Sequence, residues 1–199
     1  MRMKQRQEER AGRVPPHQNV VTGWPVLHYG DVPVYRDVRK EWNFRIFGLI
    51  EEGEKVLSYD EFMALPRVVR TNDIHCVTGW SKLDNTWEGV PVTEVVKLVT
   101  VKPEAKAVMI HAEHGWTTNL LLDDFLREDN LFAIKHNGQD LTPEHGWPVR
   151  LVVPHLYFWK SAKWVRGIEF LPEDKPGFWE RNGYHMRGDP WKEQRFAWD

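Results

Sequence analysis

The sequence predicts an α+β domain built from mixed β-sheets with short helices and finished by an irregular, aromatic C-terminal arm. Three observations carry this. Strand-type runs are many and short, helix signals span only a turn or two, and the two never alternate in the strand–helix–strand order that builds a parallel sheet. No internal repeat is visible, and 199 residues suffice for one domain. We therefore divide the chain into a flexible N-terminal arm over 1–20, a domain over 21–172, and an arm over 173–199 that packs on that same domain.

Composition narrows the function classes. The chain is 41% hydrophobic and 28% charged, the profile of a soluble globular protein. A net charge of −2, with acids interspersed among bases, leaves no footprint for nucleic acid. No stretch approaches the roughly 20 apolar residues of a spanning helix, so no membrane span is expected. The charged first ten residues have no apolar run behind them, unlike a secretory signal, and the expected location is cytoplasmic. A single cysteine, Cys76, excludes an internal disulfide.

The elements follow in order. The polar start ends in Val14, Pro15, Pro16 and His17, which marks an arm. The stretch from Trp24 to Gly30 is too punctuated for a helix. Trp42, Phe44 and Ile46 alternate with Asn43 and Arg45, a strand period, and the turn at 51–54 makes a hairpin. Ser58 and Glu61 have the spacing of a capping box and start a short helix that ends before Pro66. Residues 68–77 are β-rich and carry Cys76 near their end. Thr93 is placed to cap a helix running to Val99. Residues 107–110 read as a short buried strand and 123–127 as a brief helix. The run 131–136 followed by Asn137 and Gly138 is a hairpin signal. Residues 148–153 and 163–171 supply two more strands. Beyond Glu173, six aromatic residues (Phe178, Trp179, Tyr184, Trp191, Phe196, Trp198) sit among glycines and prolines. Disordered tails are poor in aromatics, so these rings are expected to pack on the body; the alternative is a partner surface.

Three clusters carry candidate chemistry. Cys76 lies between His75 and Val77-Thr78-Gly79-Trp80-Ser81. A lone cysteine is often a buried, inert side chain. As a functional residue it is either a nucleophile activated by a histidine or a soft-metal ligand. One thiolate cannot close a zinc or iron–sulfur site, so a metal here would arrive already coordinated by a cofactor. The second cluster runs from His145 to Pro154 and contains Arg150, suited to a bidentate grip on phosphate. In the third, Lys160, Ser161 and Lys163 fall within four residues, a candidate anion cradle.

These segments resemble the molybdopterin-binding domain of the sulfite oxidase family, above all its short bacterial members and the catalytic subunit of the periplasmic methionine sulfoxide reductase. The matching residues are Cys76 with Trp80 and Ser81, Trp87 to Pro91, Asn137 and Gly138, His145 to Arg150, Val153 and Pro154, and Lys160 to Lys163. The resemblance implies a molybdenum–molybdopterin cofactor and a sulfite-oxidase-like oxidoreductase. It gives Cys76 the role of metal ligand, and places His145 and Arg150 on the pterin. Ser161, Ala162 and Lys163 then receive the cofactor's phosphate end. The family's residue after its central strand falls at His111 and Ala112, and its N-terminal loop at Leu27, His28 and Tyr29. His75, His111, His114 and Trp116 are candidates for the substrate side, with His114 as a catalytic proton shuttle.

The departures limit the reading. Sulfite oxidases carry arginines after the ligand cysteine, where this chain has Gly79, Trp80 and Ser81, and a tyrosine where it has Ile134. The expected activity is therefore two-electron oxygen-atom transfer on a small molecule other than sulfite, with a separate electron-transfer protein as partner. Two alternatives are a non-catalytic module using Trp179, Trp191 and Trp198 as its face, and a cysteine hydrolase pairing Cys76 with His75 or His111.

Overall fold

A computed structural model describes residues 12–27 and 29–199. His28 and most of the expected N-terminal arm lie outside the described residues. Among the described residues, eleven strands run in chain order: β1 (Asn19–Val20), β2 (Asn43–Gly48), β3 (Glu54–Ser58), β4 (Val68–His75), β5 (Trp80–Pro91) and β6 (Ala107–Ala112). They continue as β7 (Thr117–Leu121), β8 (Leu131–His136), β9 (Gln139–Asp140), β10 (Arg150–Val152) and β11 (Val165–Leu171).

The strands form two mixed sheets. One has the order β1-β5-β8-β10, with β4 also on β5 and β9 on β8; the other has the order β3-β2-β11-β6-β7. Only β1–β5 and β2–β11 pair in parallel; the remaining pairs are antiparallel. The main core draws Phe44 and Ile46 from β2, Phe132 from β8, Leu151 from β10 and Ile168 from β11, so it lies between the sheets. Strand alternation then decides the rest. Leu151 faces this core, while Arg150 and Val152 face the opposite side of their sheet, where Ile74, Trp87 and Leu131 form a second cluster under Trp24, Trp80 and Phe158. That outer face carries the site.

Local rules explain most boundaries. The Ser58 hydroxyl accepts from the Glu61 N–H while the Glu61 carboxylate accepts from the Ser58 N–H, and the helix Tyr59–Met63 follows. Asn137 and Gly138 both take positive φ between β8 and β9, as a tight hairpin needs. The helix expected from Thr93 is instead Val92–Val96. Pro91 occupies the cap position and Thr93 lies inside the first turn, because the long β5 runs straight into the helix. A bend in β5 falls at Gly89, where an added Cβ would stand 2.1 Å from the Phe132 carbonyl oxygen. Three strands went unrecognised in the sequence: β5 as a whole, β7, and the short β1 at the end of the expected arm. Among the described residues, no helix is long and apolar enough to cross a membrane.

Residues 173–199 lie against the body. Phe178 and Trp179 pack on Trp116, at ring separations of 4.2 and 5.9 Å. Gly177 permits this approach, since a Cβ there would come within 2.7 Å of the Thr118 Cα. Trp191 and Trp198 remain 46% and 78% exposed.

Candidate active site

The chain folds around a cavity of about 370 Å³ whose wall includes Cys76, His145, Arg150, Ser161, Ala162 and Lys163. Six residues singled out in the sequence, spread over 88 positions, thus meet in one place.

Cys76 stands at the closed end of the β4–β5 hairpin. Its N–H donates to the Trp80 carbonyl at 2.8 Å, and the Gly79 N–H donates to the Cys76 carbonyl at 3.0 Å, a turn that Gly79 completes with φ 95°. Both arms brace this turn: the Gln18 amide donates to the Cys76 carbonyl at 3.1 Å, and the Arg195 guanidinium donates to the Val77 carbonyl. The thiol is buried but lines the cavity. Burial pushes it above the ordinary thiol range, partly offset by the Thr78 hydroxyl, which donates to Sγ at 3.1 Å. His75 pairs with the Ser81 hydroxyl at 2.8 Å, and His111 pairs with Glu169 at 2.9 Å. Neither of the two histidines expected to serve the hydrolase alternative is hydrogen-bonded to the sulfur.

Arg150 is 2% exposed. Its guanidinium donates to the carbonyls of His145 and Ser161, each at 2.8 Å, and lies against the rings of Trp24 and Phe158 at 5.1 and 4.4 Å. Burial alone pushes its pKa down to about 9. No carboxylate pairs with it among the described residues, and its Nε has no hydrogen-bond partner. His145 stacks on Trp24 at 3.8 Å, and its Nε2 is likewise unpartnered. Burial, then the Arg150 charge, pushes its pKa down. Lys163 donates from Nζ to the carbonyls of Leu27 and Glu144, both at 2.9 Å. Burial, then Arg150, pushes its pKa to about 7. The Ser161 hydroxyl accepts from the Val153 N–H at 2.9 Å, which fixes the loop.

Other expected residues lie elsewhere. His114 is exposed at the β6–β7 turn with φ 57° and does not line the cavity, so it is no proton shuttle for it. Ala112 is buried in the backbone pairing to Trp116 behind the wall. Lys160 does not join an anion cradle; its ammonium is sealed against Glu180, Asn119 and Met186. Ile134, where the resemblance places a tyrosine, is part of the core. The sequence reading missed Thr78, Trp24 and Tyr184. A hydroxyl two residues past a cysteine was a usable signal for Thr78, whereas Trp24 and Tyr184 come from irregular segments with no period.

The residues fit an anionic organic chelate. A buried guanidinium without an acid is costly unless an anion arrives to compensate it. Lys163, lowered by burial and then by the Arg150 charge, would gain from that anion too. Among the described residues, no cluster of three or more His, Cys, Asp or Glu side chains is placed to hold a bare ion, so the lone thiolate suits a metal that comes already chelated.

Comparison with known proteins agrees. Residues 29–179 match the family described as oxidoreductase molybdopterin binding domain, and the chain belongs to this family of molybdopterin-dependent oxidoreductases. It is 61% identical over 196 residues to the protein called uncharacterized oxidoreductase YuiH of Bacillus subtilis (strain 168), covering 98% of each. It is 28% identical over 162 residues to the putative protein-methionine-sulfoxide reductase subunit YedZ1 of Azospira oryzae, covering 81% of this chain and 61% of that one. The solved sulfane dehydrogenase SoxCD from Paracoccus pantotrophus superposes with a TM-score of 0.65 at 20% identity, over 79% of this chain and 46% of that one. At that identity the likeness shows the fold alone, and it is the mixed-sheet fold described above.

Proposed function

We propose that Cys76 binds the molybdenum of a molybdopterin cofactor in this cavity, and that the enzyme carries out two-electron oxygen-atom transfer on a small molecule other than sulfite. One observation carries the proposal: Arg150, a buried guanidinium with no acid partner among the described residues, shares a cavity with the only cysteine. The bound cofactor would supply the two-electron redox change. Thr78 stabilises the Cys76 thiolate by donating to Sγ. Arg150 and Lys163 offset the cofactor's negative charge, with Ser161 and Ala162 shaping the loop between them. His145, stacked on Trp24, offers Nε2 to the organic ring.

The case against sulfite is that Gly79, Trp80 and Ser81 stand where sulfite oxidases carry arginines, and the guanidinium at the Cys76 turn, Arg195, is engaged by the Val77 carbonyl. A separate electron-transfer protein is the proposed partner, a reading supported by relatives whose names call them subunits.

The test is expression in a host that makes molybdopterin, followed by metal analysis and visible absorbance of the purified protein. Molybdenum approaching one atom per chain, with a visible band lost in Cys76→Ser, is expected. Folded protein free of molybdenum would defeat the proposal.

A further inference from the structure

We propose that the C-terminal arm supplies the substrate subsite, with Tyr184 as hydrogen-bond donor and Trp179 as wall, and that the subsite takes an uncharged molecule with an apolar body and one exposed oxygen acceptor. This rests on the proposed function and adds a substrate class to it.

The cavity is divided electrostatically. Apart from Cys76 and the phenols, its chargeable lining residues among those described are Glu144, His145, Arg150 and Lys163. They belong together: Lys163 donates to the Glu144 carbonyl, Arg150 to the His145 carbonyl, and the Arg150 charge acts on both His145 and Lys163. Across from them, beside Thr117 and Thr118, runs a continuous chain of rings. Tyr29 meets Trp116 at 5.9 Å, Trp116 meets Trp179 at 5.9 Å, Trp179 meets Tyr184 at 5.3 Å, and Tyr184 meets Trp159 at 5.1 Å. An oxyanion entering among these rings would lose hydration and meet no cation in their part of the wall; the nearest, Arg195, lies outside the lining and is engaged by the Val77 carbonyl. A neutral apolar body would gain ring contacts and lose little.

Two phenols line the cavity, and of these Tyr29 is 66% exposed whereas Tyr184 is half-buried, so Tyr184 is the one placed to orient such a molecule. Its hydroxyl makes no hydrogen bond among the described residues, and it shares the wall with Cys76. A phenol donates without bringing a charge, which matches the surroundings. Its position is fixed: the Tyr184 N–H donates to the Trp179 carbonyl at 3.1 Å, and its backbone bridges to Phe196. Tyr184 lies beyond residues 29–179, so this donor belongs to the chain's own arm rather than to the matched family region.

The molybdenum-loaded enzyme is titrated calorimetrically with pyridine N-oxide, a neutral ring bearing one acceptor oxygen, and separately with sulfite. Saturable binding of pyridine N-oxide and none of sulfite are expected. Tyr184→Phe should weaken that binding about 5–10-fold, the worth of one hydrogen bond. Trp179→Leu, which leaves the hydroxyl in place, should weaken it at least as much. No saturable binding of pyridine N-oxide, unchanged affinity in both variants, or tighter binding of sulfite would each overturn the subsite. Metal analysis of the same sample separates the two readings: a loaded enzyme that ignores the probe overturns only this inference, and a preparation free of molybdenum overturns the proposed function and this inference with it.

Discussion

The ammonium of Lys160 lies 2.6 Å from the carboxylate of Glu180, and both side chains are sealed from solvent. Lys160 also donates to the carbonyl and side-chain oxygens of Asn119 and to the Met186 carbonyl, while Glu180 accepts from the Trp159 indole at 2.9 Å. One buried pair thus joins the loop before Lys163, strand β7 and the C-terminal arm. Removing one partner strands the other charge in the interior, at a cost of about 3–5 kcal/mol. Lys160→Met is expected to lose that much in urea unfolding. Adding Glu180→Gln to it should recover part of the loss, because no charge is then left unpaired. A double variant weaker than the single one would contradict this account of the latch.

Arg150 presents the opposite case, a buried charge with no partner to strand. Arg150→Met should leave the thermal midpoint of the cofactor-free protein within a few degrees, since lost hydrogen bonds are offset by relief of the buried charge. Its molybdenum content should fall at least about tenfold, the worth of one lost charge-assisted bond to the cofactor. Wild-type metal content in this variant would contradict the role given to the guanidinium.

A pH dependence follows from His136, which packs against Trp24 and Trp87, each at 4.5 Å, and pairs with Asn85 at 3.1 Å. Burial, then the charges of Lys82, Arg150 and His145, push its pKa down to about 4. The unfolded chain holds this proton up to about pH 6.5. Between those values unfolding takes up a proton, so the contribution is complete above about pH 6.5 and is lost as pH falls toward 4. The stability of wild type should therefore decline more steeply from pH 7 to pH 4.5 than that of His136→Gln. Equal slopes would show that the ring does not titrate in this way.

Much of this structure was legible in the sequence wherever a short-range rule decided the outcome. The Ser58 capping box and the Asn137-Gly138 hairpin stand as read because each is settled within a few residues. Strand β5 was harder. Its charged and polar stretch at Lys82, Asp84 and Asn85 breaks the alternation, and its pairing to both β4 and β8 is decided by distant residues. The site divides in the same way. Cys76, His145, Arg150, Ser161, Ala162 and Lys163 converge on one cavity, as their resemblance to family motifs implied. Lys160 and His114 did not, because spacing along the chain cannot show which way a side chain leaves a loop. Lys160 turns inward to Glu180, and His114 turns out to solvent in a left-handed backbone conformation. Tyr184 was invisible as a site residue, since only the packing of the arm on Trp159 and Trp179 brings it to the cavity.

The proposed ligation of molybdenum by Cys76 Sγ is open to direct measurement by X-ray absorption at the molybdenum edge, comparing wild type with Cys76→Ser loaded with the same cofactor. The account predicts one fewer sulfur neighbour around molybdenum in the variant, with the sulfur distances that remain unchanged. An identical sulfur count in the two proteins would mean that Cys76 is not the ligand.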